Sequence, residues 1–479
     1  KFNILLIGYL FYKFCNFFFG TIFLKQQWRA EGLPLTTPSD EACKMFDATV
    51  IQIAKTCEDP AVGGTGTTLQ KMLEADPNFV LGLALKNHLS RKKSFNDAKY
   101  AAELDQLVAL AEKQNVTSRE KLHVQAVKLQ AEGEGMKACQ VWERILVDHP
   151  HDILALRFAY MSYLVSGQSA QIRDTVCRVL PQWNISHPLY GYLLGLYAFG
   201  LEETNLFDQA EKTAKKALEL NRQDSWATHS MTHVMESMGR TREGETFLSA
   251  TESDWAPLSH VTCHLYWHWS LYHIEEGNFE NALSVFDSKI ASHLKNNGSW
   301  FTMTDATSIL YRLEFEAVNV GDRWKTIYDF CVSHPWEHTW AFEDAHLLIG
   351  CSRGKDQEKC KQVMNSLKDF AEHGQGDMKR ITSVSIPLLE AIQCYEAEDY
   401  AGAIDILLPI RYNIIQIGGS HAQRDVFNLL LLHAAIKSKE PVHHKLARSL
   451  LMERRQLKEK SPMVDRLLEK VQAAISAES

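Results

Sequence analysis

Apolar residues recur at three- and four-residue intervals along most of this chain, and alternating β-branched runs are scarce. That period belongs to amphipathic helices, so the pattern predicts an all-α protein. A second regularity runs through the helical background: a small residue, a large apolar residue one turn later, and a turn signal or proline at the margin. EGEGMKACQVWERILVDHP carries Ala138, Trp142 and Pro150, and LFDQAEKTAKKALELN carries Phe207, Ala210, Ala214, Ala217 and Leu218, running into Asn221. EEGNFENALSVFD supplies Gly277, Phe279, Ala282 and Phe286, and EAEDYAGAIDILLP supplies Tyr400, Ala403, Leu407 and Pro409. MGRTREGETFLSA, with Gly239, Gly244 and Leu248, is a weaker copy. Small residues let paired helices approach closely, and the large ones fill the space between successive pairs.

These copies predict a tetratricopeptide-like α-solenoid of paired antiparallel helices. GDRWKTIYDF around Trp324 and KDQEKCKQVM around Cys360 are read as further second helices. Loop composition never becomes linker-like, so residues 28–479 are expected to form one continuous solenoid. Residues 1–27 stand apart. Their first 24 positions, KFNILLIGYLFYKFCNFFFGTIFL, are long and apolar enough for a membrane anchor, and they carry no small-residue cleavage site. The segment is read as a fragment of something longer or as sequence from outside the true coding region, rather than as an anchor. A membrane partner is expected only if it is genuine.

Composition narrows the function classes. A net charge of −8 argues against a general nucleic-acid binder. Ten cysteines are scattered with no C-x-x-C, which fits a reducing, cytoplasmic setting and excludes a thiol zinc knuckle. No G-x-S-x-G and no Walker loop occurs, and GGTGTT at 63–68 lacks the lysine of a phosphate loop. That glycine cluster reads as a flexible turn before a helix at Leu69.

From about Trp28 onward the chain closely resembles the tetratricopeptide repeat protein 38 family. The resemblance is carried by LPLTTPSDEACKMFDA (33–48), REKLHVQAV (119–127), KACQVWERILVDHP (137–150), YAFGLEETNLFDQAEK (197–212), HLYWHWSLYHIEEG (264–277), ILYRLEFEAVNVGDRW (309–324), LLPIRYNIIQIGGSHAQRDVFNLLL (407–431) and ARSLLMER (447–454). It implies a helical-repeat fold and a cytosolic protein. It implies no particular chemistry.

Candidate chemistry gathers on two first helices, expected near 225–238 and 262–275. SWATHSMTHVME places His229 and His233 four residues apart with Glu236 three beyond, and TCHLYWHW places His264 and His268 likewise. Residues at i and i+4 share a helical face, so the two pairs can converge across neighbouring helices. Imidazoles with a carboxylate suit a divalent Zn, Fe or Mn ion. A metalloprotease motif is excluded, because Ser230 stands where the glutamate after the first histidine belongs.

Three function classes remain, of which one, a membrane-tethered adaptor, depends wholly on residues 1–24 being genuine. The leading one is a binding or scaffold module whose concave groove takes a peptide or small ligand, lined by His123, His229, His233, Glu236, His264, His268, Asp305, Arg312, Asp344 and Arg424. The alternative is a metal-dependent, hydrolase-like enzyme with His229, His233, His264 and His268 as ligands. Glu343 and His346 recur on a later first helix. Arg312 and Glu316 are spaced for an i, i+4 pair. In GGSHAQRDVFN, Ser420 is expected to cap a helix, with Arg424 and Asp425 tying it to its neighbours.

Overall fold

Helices begin where the sequence supplies oxygen acceptors for free backbone N–H groups. Thr117 and Glu120 form a reciprocal capping box at Ser118–Ala131, and Ser420 with Gln423 forms another at His421–Lys437. Asp152, Asp224 and Ser299 cap Ile153–Val165, Ser225–Ser237 and Trp300–Phe315. Thr262–Glu276 ends at Gly277 in the left-handed conformation, φ 80°. A computed structural model describes residues 25–477 apart from 91–97, 258–259, 335, 337, 339 and 374–375. The apolar segment 1–24 lies outside the described residues.

The helices pair in sequence order. Ser118–Ala131 packs on Gly135–Asp148, Tyr190–Glu202 on Phe207–Leu220, Ser225–Ser237 on Thr241–Trp255, and Asp377–Glu396 on Tyr400–Ile410. No strand occurs among the described residues. Ala138, Ala210, Gly244, Ala282 and Ala403 all fall on second helices, and the four alanines are fully buried. Trp324 and Cys360 also lie on second helices, Trp324–Ser333 and Gln357–His373. The space test is sharpest at Gly244, where an added Cβ would sit 2.3 Å from the Tyr272 ring. One correction concerns GGTGTT: its helix starts at Gly64, not at Leu69. One apolar cluster includes residues from Trp28 to Val471, and a separate one gathers Val80, Tyr100, Leu107 and Val124. No helix among the described residues is long and apolar enough to cross a membrane.

The superhelix turns back on itself. His421–Lys437 packs against Ser225–Ser237 and Trp300–Phe315, and Pro462–Ala477 packs against Thr262–Glu276. Backbone contacts close the ring: Gly419 N donates to Leu164 O at 3.2 Å and Asp377 N to Gly133 O at 3.2 Å. Gly418, at φ 86°, allows this closure, since a Cβ there would lie 2.2 Å from Val165 O. The inner face of the central repeats is therefore covered by the chain's own C-terminal helices.

Candidate metal centre

Asp224 accepts from Trp226 N and Ala227 N, both at 3.0 Å, and so fixes where Ser225–Ser237 begins and how its face is turned. His229 and His233 lie one turn apart on that face, with Nε2 atoms 3.0 Å from each other. From Thr262–Glu276 come His264 and His268. One ring nitrogen from each of the four lies within 4.8 Å of those of the other three. All four side chains are at most 3% exposed. The convergence expected from the spacing is present, on adjacent first helices.

Carboxylates hold the far side of three rings. His264 Nδ1 lies 2.9 Å from Asp305 Oδ1, and His268 Nδ1 lies 3.0 Å from Glu236 Oε2. His233 Nδ1 faces Glu202 Oε2 at 3.5 Å. A carboxylate accepts an N–H, so the two hydrogen bonds, at His264 and His268, place the hydrogen on Nδ1 and leave the Nε2 lone pair turned toward the other rings. His229 differs, because its Nδ1 has no partner. Its ring is instead stacked on Phe199, with centroids 5.2 Å apart. His264 stacks on Trp267 at 4.8 Å.

The electrostatics follow from burial. Desolvation drives the pKa of His229, His233 and His268 well below the ordinary imidazole value, and the neighbouring histidines push the same way. Burial raises Asp305, Glu236 and Glu202; His264 opposes it at Asp305, and the adjacent Glu203 reinforces it at Glu202. His229, His233 and His268, held neutral, present lone pairs with too few hydrogens among them. His268 Nε2, Asp305 Oδ2 and Glu202 Oε2 are buried with no hydrogen-bond partner. Each such atom costs about 1–3 kcal/mol. A divalent cation among the ring nitrogens would remove that cost at His268 Nε2. Tetrahedral coordination at about 2.0–2.1 Å needs nitrogens about 3.3 Å apart, so the wider pairs, up to 4.8 Å, would have to draw in, whereas His229 and His233, at 3.0 Å, are already that close.

Other candidates are placed elsewhere. His123 is not part of the cluster: its Nε2 lies 2.9 Å from Asp152, which Arg119 also grips at 2.7 Å, so this trio braces the start of Ile153–Val165. Asp344 is bound to His338 at 2.8 Å, and the fully buried His346 to Phe342 O, also at 2.8 Å. Arg312 does not pair with Glu316. It reaches Ala422 O at 2.7 Å and Asp425 at 3.2 Å, while Glu316 takes Arg466 at 3.0 Å. Arg424 is held by Gly419 O and by Glu203 at 3.5 Å, and Asp425 also accepts from Arg454 at 2.8 Å. Arg424 and Asp425 thus tie helices together, as the sequence suggests. His123, Arg312, Asp344 and Arg424 are all buried, and His421–Lys437 packs against Ser225–Ser237 and Trp300–Phe315.

Glu202 was missed by sequence reasoning. Its signal is a lone acid ending an almost wholly apolar helix, YGYLLGLYAFGLE. Helix periodicity says nothing of which histidine such an acid will meet.

No family model matches the chain. Among solved structures it is similar to the human IFIT1 dimer with m7Gppp-AAAA, at 13% identity over 93% of this chain and 92% of that one, TM-score 0.36. Yeast Tom70 aligns at 12% identity over 74% and 89%, TM-score 0.33, and Naa15/Naa10 bound to HypK-THB at 13% over 94% and 84%, TM-score 0.28. With helix pairs packed in sequence order through small-residue contacts, the chain is an all-α helical-repeat protein.

Proposed function

We propose that this protein is a binding module whose ligand is a divalent metal ion, held by His229, His233, His264 and His268. The observation that carries this reading is the set of four buried ring nitrogens within 4.8 Å of one another, three of the rings facing a carboxylate through Nδ1. Carboxylate–imidazole pairs of this kind orient metal ligands and raise their basicity. Zn, Fe and Mn all accept imidazole nitrogen, and Zn best suits four such donors in a tetrahedron.

This reading replaces the peptide groove at these residues, since a peptide there has to displace His421–Lys437. The scaffold role stays with the outer surfaces of the repeats. Residues 28–479 act as one unit on this reading, and the resemblance to the tetratricopeptide repeat protein 38 family rests on the sequence segments quoted above. Hydrolytic chemistry is the secondary reading. It needs a coordination position released to water, and His229, the one ring without a carboxylate, is the ligand placed to release it.

The test is metal content. The full chain, purified without chelator, should carry close to one Zn, Fe or Mn per molecule, and a His233→Ala/His268→Ala variant should carry none. A chain that stays metal-free after reloading with each ion, or a variant that retains its metal, overturns the proposal.

A further inference from the structure

Away from the histidine cluster, three side chains form a hydrogen-bonded row. Ser366 Oγ lies 2.7 Å from His338 Nε2, and His338 Nδ1 lies 2.8 Å from Asp344 Oδ1. His338 and Asp344 are buried, and Ser366 is partly exposed. His338 precedes Ala341–Arg353, Asp344 lies in the first turn of that helix, and Ser366 lies in the middle of Gln357–His373. The His338 backbone sits at φ 50°, which non-glycine residues seldom adopt, and such outliers persist where surrounding contacts over-determine them. Both ring nitrogens of His338 are engaged, one on each neighbouring helix.

The chemistry of the row is specific. Asp344 fixes the hydrogen on Nδ1, which leaves Nε2 as the acceptor for the serine hydroxyl proton. That is the tautomer a general base requires, and such relays are recognised by geometry rather than by order in the sequence. A solely structural clamp needs only one of the two bonds.

We propose that Ser366 is a nucleophile activated by His338, with Asp344 as the positioning residue, and that it takes acyl groups from activated esters. Ser366 lies in mid-helix, where backbone N–H groups are already bonded within the helix, so its own turn supplies no donors for a developing oxyanion. The substrates are accordingly aryl esters or thioesters, whose leaving groups depart with little help at the carbonyl. Phe370, one turn on from Ser366 and with its ring 5.7 Å from that of His338, offers an apolar surface beside the reacting atoms. In the step, Oγ bonds to the carbonyl carbon, its proton passes to Nε2, and the bond to the leaving group breaks as that group takes the proton. Water, deprotonated by the same nitrogen, then cleaves the acyl-serine to the carboxylic acid and restores Ser366.

The test uses the full chain with a fluorophosphonate probe, which forms an Oγ–P bond and releases fluoride, and with p-nitrophenyl acetate as substrate. Expected is probe on the Ser366 peptide by mass spectrometry, its loss in Ser366→Ala, and labelling about 100-fold slower in His338→Gln. Alanine is the best helix former, so Ser366→Ala should keep the wild-type circular dichroism and melting temperature. A second pair removes any dependence on the serine hydroxyl: Ser366→Cys should be alkylated by iodoacetamide faster than Ser366→Cys/His338→Gln. An unlabelled wild type, a label on another residue, or equal labelling after His338→Gln overturns the proposal.

Discussion

His264 and Asp305 lie on successive first helices, 41 residues apart in sequence, and meet through a buried Nδ1···Oδ1 contact of 2.9 Å. The pair couples the candidate metal centre to the next repeat. It also sets which nitrogen of His264 faces the other three rings.

Asp305→Asn keeps the shape of that contact and removes its charge. Partners of metal-bound histidines typically matter 10- to 100-fold in metal affinity, so chelator competition should show a loss of about that size. Unchanged affinity would mean that Asp305 does not support a ligand.

His229 and His268 should not be equivalent. His268 is oriented by Glu236 at 3.0 Å, whereas His229 Nδ1 has no partner. His268→Ala is expected to weaken metal binding more than His229→Ala, by about tenfold, read by titration calorimetry of the metal-stripped chain. The reverse order would count against the carboxylate partners as the source of affinity.

Gly244→Ala tests the small-residue rule. Its Cβ would lie 2.3 Å from the Tyr272 ring, whose hydroxyl donates to Thr232 O at 2.8 Å. Overpacking of this kind costs about 1–3 kcal/mol. Urea denaturation should give a lower midpoint with the slope unchanged.

Arg312 anchors His421–Lys437 on the inner face, through Ala422 O and Asp425. Its removal leaves a buried acceptor and weakens the hold on Asp425, a loss of about 3 kcal/mol. Hydrogen exchange in Arg312→Ala should rise first across His421–Lys437. Uniform acceleration over the whole chain would mean that the covering helix has no separate opening.

Acid should destabilise the fold through its buried neutral histidines. Burial lowers His433 to about 3 and His346 to about 4. Below about pH 6.5 these rings take up a proton in the unfolded chain but not in the folded one. The stability they contribute is complete above that pH and is lost as pH falls toward their folded pKa values, at about 1.4 kcal/mol per pH unit per ring. His433→Leu should therefore show a shallower fall in urea midpoint between pH 7 and pH 5 than the wild type. Equal slopes would remove His433 from this account.

Much of the architecture is legible in the sequence because it depends on local periodicity. The spacing around Ala138, Gly244 and Ala403 locates second helices, since close helix contact needs a small residue there whatever the partner. The i, i+4 spacing of His229 with His233 and of His264 with His268 puts each pair on one face, because helix geometry alone does so. Long-range pairing is a different matter. That Glu202 faces His233, that Arg312 reaches Asp425 rather than Glu316, and that Ser366 meets His338 all depend on how far each repeat is rotated against the next. The covering of the inner face by His421–Lys437 likewise emerges only when the superhelix closes, as small rotations accumulate over many repeats. The sequence by itself determined the helices, their pairing and the faces that carry the histidines. The tertiary structure decided which carboxylates meet them, because those contacts join residues that no local period relates.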